Sequence, residues 1–155
     1  MRRSRMVVVA ALSAGLVLAA ADPALAGIRF TKIQYESPGP DTGSNASLDA
    51  EFVVIKNTGT HTKRLRGWKL IDKRTGTEGG DEVFRFPRFR LHPGDIVRIH
   101  TGRGARTHHD LYWGKSHYVW GDDSDTAYLK NRAGRQVDSC AYVSHTQETS
   151  PPAKC

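Results

Sequence analysis

The sequence predicts an all-β fold, a sandwich or barrel of about seven to nine short strands, immunoglobulin-like in size. Three observations predict it. No stretch of ten or more residues carries helical periodicity, and short apolar runs recur beyond Gly27 between clusters of turn residues. The run Glu51-Phe52-Val53-Val54-Ile55-Lys56-Asn57 has four consecutive apolar positions. A strand with no polar face is expected mid-sheet or covered on both sides.

Residues 1–26 are read as a signal peptide. Arg2, Arg3 and Arg5 precede an apolar run from Met6 to Ala21, and Ala24-Leu25-Ala26 forms a small-x-small cleavage site. The run is shorter than the ~20 residues that span a bilayer. Cleavage near Ala26 gives a secreted, extracellular chain of 129 residues, enough for one domain with its own core. The leader takes three Arg and one Asp from a formal charge of +7, leaving +5. That modest excess fits anionic surroundings or plain solubility.

The first strand, Ile28–Tyr35, alternates imperfectly, and Ser37–Ser47 reads as a Pro/Gly/Asn/Ser loop. After the central run, Asn57-Thr58-Gly59-Thr60 closes the strand. Leu65 and Leu70 differ in parity, so a β-bulge is expected at Gly67, with Trp68 as the largest piece of the core. Phe84 and Phe86 are expected inward and Arg85 outward, with pairing ending at Pro87. Leu91-His92-Pro93-Gly94-Asp95 reads as a turn, and Ile96–His100 as a strand with Val97 and Ile99 inward. A long excursion from Thr101 carries His108-His109-Asp110, Tyr112-Trp113 and Val119-Trp120. Ala127–Lys130 and Val137–Val143 are the last strands.

Cys140 and Cys155 allow one intramolecular pairing. In an exported chain they are expected to form a disulfide that closes a loop of about 15 residues and ties residues 144–155 to the domain 27–143.

In order along the chain, Glu51–Gly59, Leu65-Arg66-Gly67-Trp68-Lys69-Leu70, Phe84-Arg85-Phe86-Pro87, Leu91–Asp95 and Val97–Gly104 form a pattern. Leu111–Gly114, Val119-Trp120, Asp125–Leu129 and Gly134–Asp138 complete it. This series resembles a lamin tail domain of the stand-alone, secreted prokaryotic type. The resemblance runs from about Ile28 to Tyr142. It implies an immunoglobulin-like β-sandwich acting as an interaction module, as in the nuclear lamins. Related prokaryotic domains are secreted or envelope-associated, alone or attached to hydrolases and nucleases. It implies no catalytic residues. The chain lacks the coiled-coil rod of a lamin, so filament assembly does not carry over.

Motifs for catalysis are missing: there is no Gly-x-Ser-x-Gly, no His-Glu-x-x-His and no phosphate-binding loop ending in Gly-Lys-Ser/Thr. The reading is non-enzymatic, with no cofactor and no metal site. His108 and His109 are adjacent on an extended segment and so point apart. Asp122-Asp123-Ser124-Asp125 does not fit an EF-hand and reads as an acidic turn bonding local amides, with a looser calcium site as the alternative. The expected binding set is Arg85, Arg98, His100 and Lys130, outward positions that form a basic stripe if their strands are neighbours. Tyr112, Trp113, Tyr118 and Trp120 offer stacking surface or a corner of the core. The leading expectation is a module contacting an anionic envelope polymer or a protein partner. The alternatives are an accessory nucleic-acid-binding domain working with a separate secreted nuclease and, more weakly, a metal-dependent hydrolase.

Overall fold

The computed structural model describes residues 27–73, 81–144 and 152–155. The expected signal peptide lies outside the described residues.

Two sheets face each other across one core. The first has strand order β11-β1-β2-β7-β8, with β1 Ile28–Gln34, β2 Phe52–Asn57, β7 Ile96–His100, β8 Asp110–Tyr112 and β11 Ala153–Lys154. The second has order β10-β9-β4-β5, with β4 Lys69–Asp72, β5 Glu82–Arg85, β9 Ser124–Lys130 and β10 Gln136–Val143. A short ladder of β3 Lys63–Arg64 with β6 Arg90–Leu91 completes the strands. Inward residues of β2 and β7 (Val53, Ile55, Val97, Ile99) meet Leu70, Ala127 and Leu129 of the opposing sheet in a single apolar cluster. The fold is an immunoglobulin-like β-sandwich.

β2 occupies the middle of its sheet, as a strand without a polar face requires. Its last residue, Asn57, is fully buried and fastens one end of the sandwich. Its side-chain amide donates to the carbonyls of His61 and Leu91, and its backbone pairs with Gly94 and Asp95. The turn after Leu91 closes with the Asp95 N–H on the His92 carbonyl. β5 ends at Arg85, before Pro87, whose missing N–H cannot continue a ladder.

Several local features depart from the sequence expectation. The uneven alternation of β1 comes from a register shift between Phe30 and Lys32, and a second shift falls between Gln136 and Asp138. The bulge expected at Gly67 is present and sits on a tight turn: Gly67 and Trp68 together oppose Phe86, the Gly67 N–H donating to the Phe86 carbonyl and the Phe86 N–H to the Trp68 carbonyl. The Trp68 N–H donates to the Leu65 carbonyl, and Gly67 has φ +80, which places glycine at the third position of a type II turn. That turn hands the chain from the β3–β6 ladder to the second sheet, and both Leu65 and Leu70 reach the core. Trp68 is half-buried at the margin; the tryptophan inside is Trp120, 2% exposed. The Pro/Gly-rich loop after Tyr35 leads into a six-residue helix, α1 (Asn45–Ala50), with Ser44 as its N-cap accepting from the Ser47 N–H. β8, inside the excursion, pairs parallel with β7.

Cys140 and Cys155 are disulfide-bonded, with Cα atoms 5.6 Å apart. Cys140 lies on β10 and Cys155 follows β11, so the bond links the two sheets and seats the tail against β1 at Lys32 and Ile33.

Candidate anion-binding surfaces

On the second sheet, Lys69 is the register partner of both Arg85 and Lys130. The next row, Phe84–Leu70–Leu129, is buried. Strand alternation therefore puts Arg85, Lys69 and Lys130 together on the outer face. Arg85 is exposed and the two lysines are half-buried. Among the described residues, none of the three is in an ion pair. Three cations abreast on neighbouring strands repel one another, at a cost to stability. Beyond them the face carries Ile71, Val83 and Tyr128.

Arg98 and His100 stand on β7 in the other sheet, so the four expected residues do not form one stripe. Both are engaged nearby. His100 places Nδ1 2.6 Å from the Asp49 carbonyl and Nε2 3.1 Å from Asp110 Oδ1, and Arg98 reaches the same oxygen at 3.4 Å. Burial raises the Asp110 pKa, but the hydrogen bonds from His100, Thr107 and Arg98 outweigh it and hold the carboxyl below its ordinary value. The outer face of this sheet also carries Lys32, Lys56 and Lys154 in register with Val54, Arg29 and Lys32. Its aromatic row, Phe52–His100–Tyr112, is packed on the chain itself. Tyr112 stacks on His100 with ring centroids 5.0 Å apart, and Lys32 Nζ sits 4.9 Å above Phe52. A Cβ added at Gly104 would lie 2.3 Å from the Tyr112 ring, so the glycine backbone rests directly on it.

The excursion is clasped at both ends by Glu51, fully buried at the head of β2. Its Oε1 accepts from the Thr101 hydroxyl and from the Val119 N–H, and its carbonyl accepts from the Thr101 N–H. Burial, the dominant cause, pushes the Glu51 carboxyl up to about 7 against the lowering effect of these bonds. Within the excursion, Trp113 packs between Phe84 and Trp120, and the Tyr118 hydroxyl bonds Ser47. These rings form a corner of the core. His117 and Lys115 pair with Glu82, while His108 and His109 are exposed. Among the described residues, no group of three or more His, Cys, Asp or Glu is placed to hold a metal. In the acidic run, Asp125 accepts from the N–H groups of Gly121 and Thr126. Asp122 is raised by burial and then by Asp41, Glu36 and Asp123.

Lys69 was the residue to find from sequence. It lies between Trp68 and inward Leu70, and the alternation that sends Leu70 in sends Lys69 out. Glu51 left no signal, since a carboxylate before an apolar run reads as an ordinary boundary.

A family model described as Lamin Tail Domain matches residues 21–144. No curated protein matches the chain.

Proposed function

The chain belongs to the lamin tail domain family, and we propose that it is an exported, non-enzymatic interaction module that contacts an anionic polymer of the cell envelope. The observation that carries the reading is the row Arg85–Lys69–Lys130. Three cations held abreast, with no counter-ion among the described residues, lower the stability of the free protein and offer a polyanion three contacts at strand spacing. The family supports an interaction module. Export is supported by the leader pattern and by a disulfide that joins the two sheets, a bond that persists in oxidising compartments. No helix among the described residues is long and apolar enough to cross a membrane. The packed state of the aromatic rings favours contact through charge over base stacking.

The test is binding of the purified chain to isolated anionic envelope polymer across a salt series, with single-stranded DNA as a parallel arm. Binding is expected to fall steeply with salt. Replacing Arg85, Lys69 and Lys130 together by Ala should make the log–log salt slope shallower by about two to three, the number of contacts removed. Binding that ignores both salt and the triple substitution rules the reading out. Preference for DNA with the same salt slope moves it to the nucleic-acid alternative.

A further inference from the structure

Beside the start of β7 is a cleft of about 720 Å³, walled by Arg88, Arg90, Arg106, His92, His108 and His109. We propose that it is a binding site for a phosphoryl group, either free phosphate or the phosphate of a small carrier molecule. The site is separate from the Arg85–Lys69–Lys130 row and does not depend on it.

Each wall is fixed by its own local structure. From Arg88 to Leu91 the chain alternates. Phe89 and Leu91 are buried and the two arginines point out, with Arg64 opposite Arg90 in the β3–β6 ladder. The facing wall is a tight turn in which the Thr107 hydroxyl donates to Asp110 Oδ2 and accepts from the N–H groups of His109 and Asp110. Arg106 joins the walls by donating from Nη1 to the Arg88 carbonyl at 3.4 Å, which leaves most of its fork for another acceptor. His92 directs Nδ1 to the Thr62 hydroxyl, so Nε2 remains for a ligand. Among the described residues the one acid in the wall, Asp95, already accepts the His92 backbone N–H.

Three arginines and three histidines thus line one space with, among the described residues, a single carboxylate. They supply more donors, from more directions, than the two oxygens of a carboxylate accept. A tetrahedral phosphoryl group presents three oxygens and a charge of about −1.5 to −2, and arginine forks match it bidentately. The volume falls in the ~300–1,000 Å³ range of small-molecule sites.

The experiment is a titration of the full disulfide-bonded chain, followed by amide NMR, with glucose 6-phosphate, inorganic phosphate and acetate at constant ionic strength. Saturable shifts are expected at residues 88–92 and 106–109, with acetate weaker by roughly tenfold or more. Arg90→Ala with Arg106→Ala should weaken phosphate binding by about tenfold or more. Lys69→Ala should leave it unchanged, so this site and the sheet-face reading fail independently. Equal affinity for inorganic phosphate and the sugar phosphate identifies free phosphate as the ligand; tighter sugar phosphate identifies a carrier. The proposal is overturned by acetate binding as well as phosphate, by absence of saturation, or by a double variant that keeps a wild-type melt and wild-type binding.

Discussion

Glu51 is fully buried and enters no ion pair among the described residues, so its carboxyl titrates against the fold. The folded value is raised from 4.5 to about 7. The folded state therefore keeps its proton over a range where the unfolded chain has lost it. The resulting stability is complete below about pH 4.5 and is lost as pH rises through about 7. At 1.36 kcal/mol per unit the whole effect is about 3 kcal/mol. Burial raises Asp49 and Asp122 as well, which adds in the same direction. Asp110 and Glu82 act oppositely: both are lowered, so their contribution is present above the ordinary carboxylate range and is lost in stronger acid. Stability should peak in mildly acidic solution. Glu51→Gln is expected to flatten the alkaline side of the profile and to melt higher than the parent at pH 8. Denaturant midpoints at half-unit intervals from pH 4 to 8 check this; parallel curves for the two proteins would refute it.

The elements were legible where a strand's period alone decides its faces. Val97 and Ile99, Phe84 and Phe86, and Val53 and Ile55 point inward as alternation requires, while Val54 between them is covered on the outer face. Legibility failed where a hydrogen bond from elsewhere decides. The parity change between Leu65 and Leu70 marked the bulge at Gly67 but not the turn it sits on. That turn is set by the Trp68 N–H on the Leu65 carbonyl. The helix Asn45–Ala50 is too short for periodicity to register, and it is held by Asn45, which donates to Asp49 and to the Arg103 carbonyl. The basic stripe failed for a related reason, because sheet membership is a matter of pairing that outward position cannot reveal. Arg85 and Lys130 are joined through Lys69, and Arg98 and His100 belong to the other sheet. The turn reading makes a specific claim about Gly67. An L-residue at φ +80 is strained by about 1–2 kcal/mol, and its Cβ would meet the Arg132 side chain at 3.4 Å, which can yield. Gly67→Ala should lower the unfolding free energy by that amount, read as a lower denaturant midpoint at an unchanged m-value. A neutral substitution would mean that position 67 does not need a positive φ.

At the scale of the whole molecule, the two sheets are joined by apolar packing and by one covalent bond. The disulfide closes a loop of 15 residues in sequence separation, for which chain entropy predicts about 3 kcal/mol. Its second effect is positional. β11 has only two residues paired with β1, too few to hold without the bond, and it covers an edge that would otherwise expose backbone donors and acceptors. The bond also places Lys154 opposite Lys32, adding a cation to an already basic face. Reduction should therefore do two separable things. Global stability should fall by about 2–4 kcal/mol, and amide exchange should rise first at Lys32 and Ile33, ahead of β2 and β7. Cys155→Ser under oxidising conditions should reproduce both, since it leaves Cys140 in place. Urea midpoints with and without reductant, paired with hydrogen exchange resolved by residue, make the comparison. An unchanged midpoint together with unchanged exchange along β1 would mean that packing alone holds the tail.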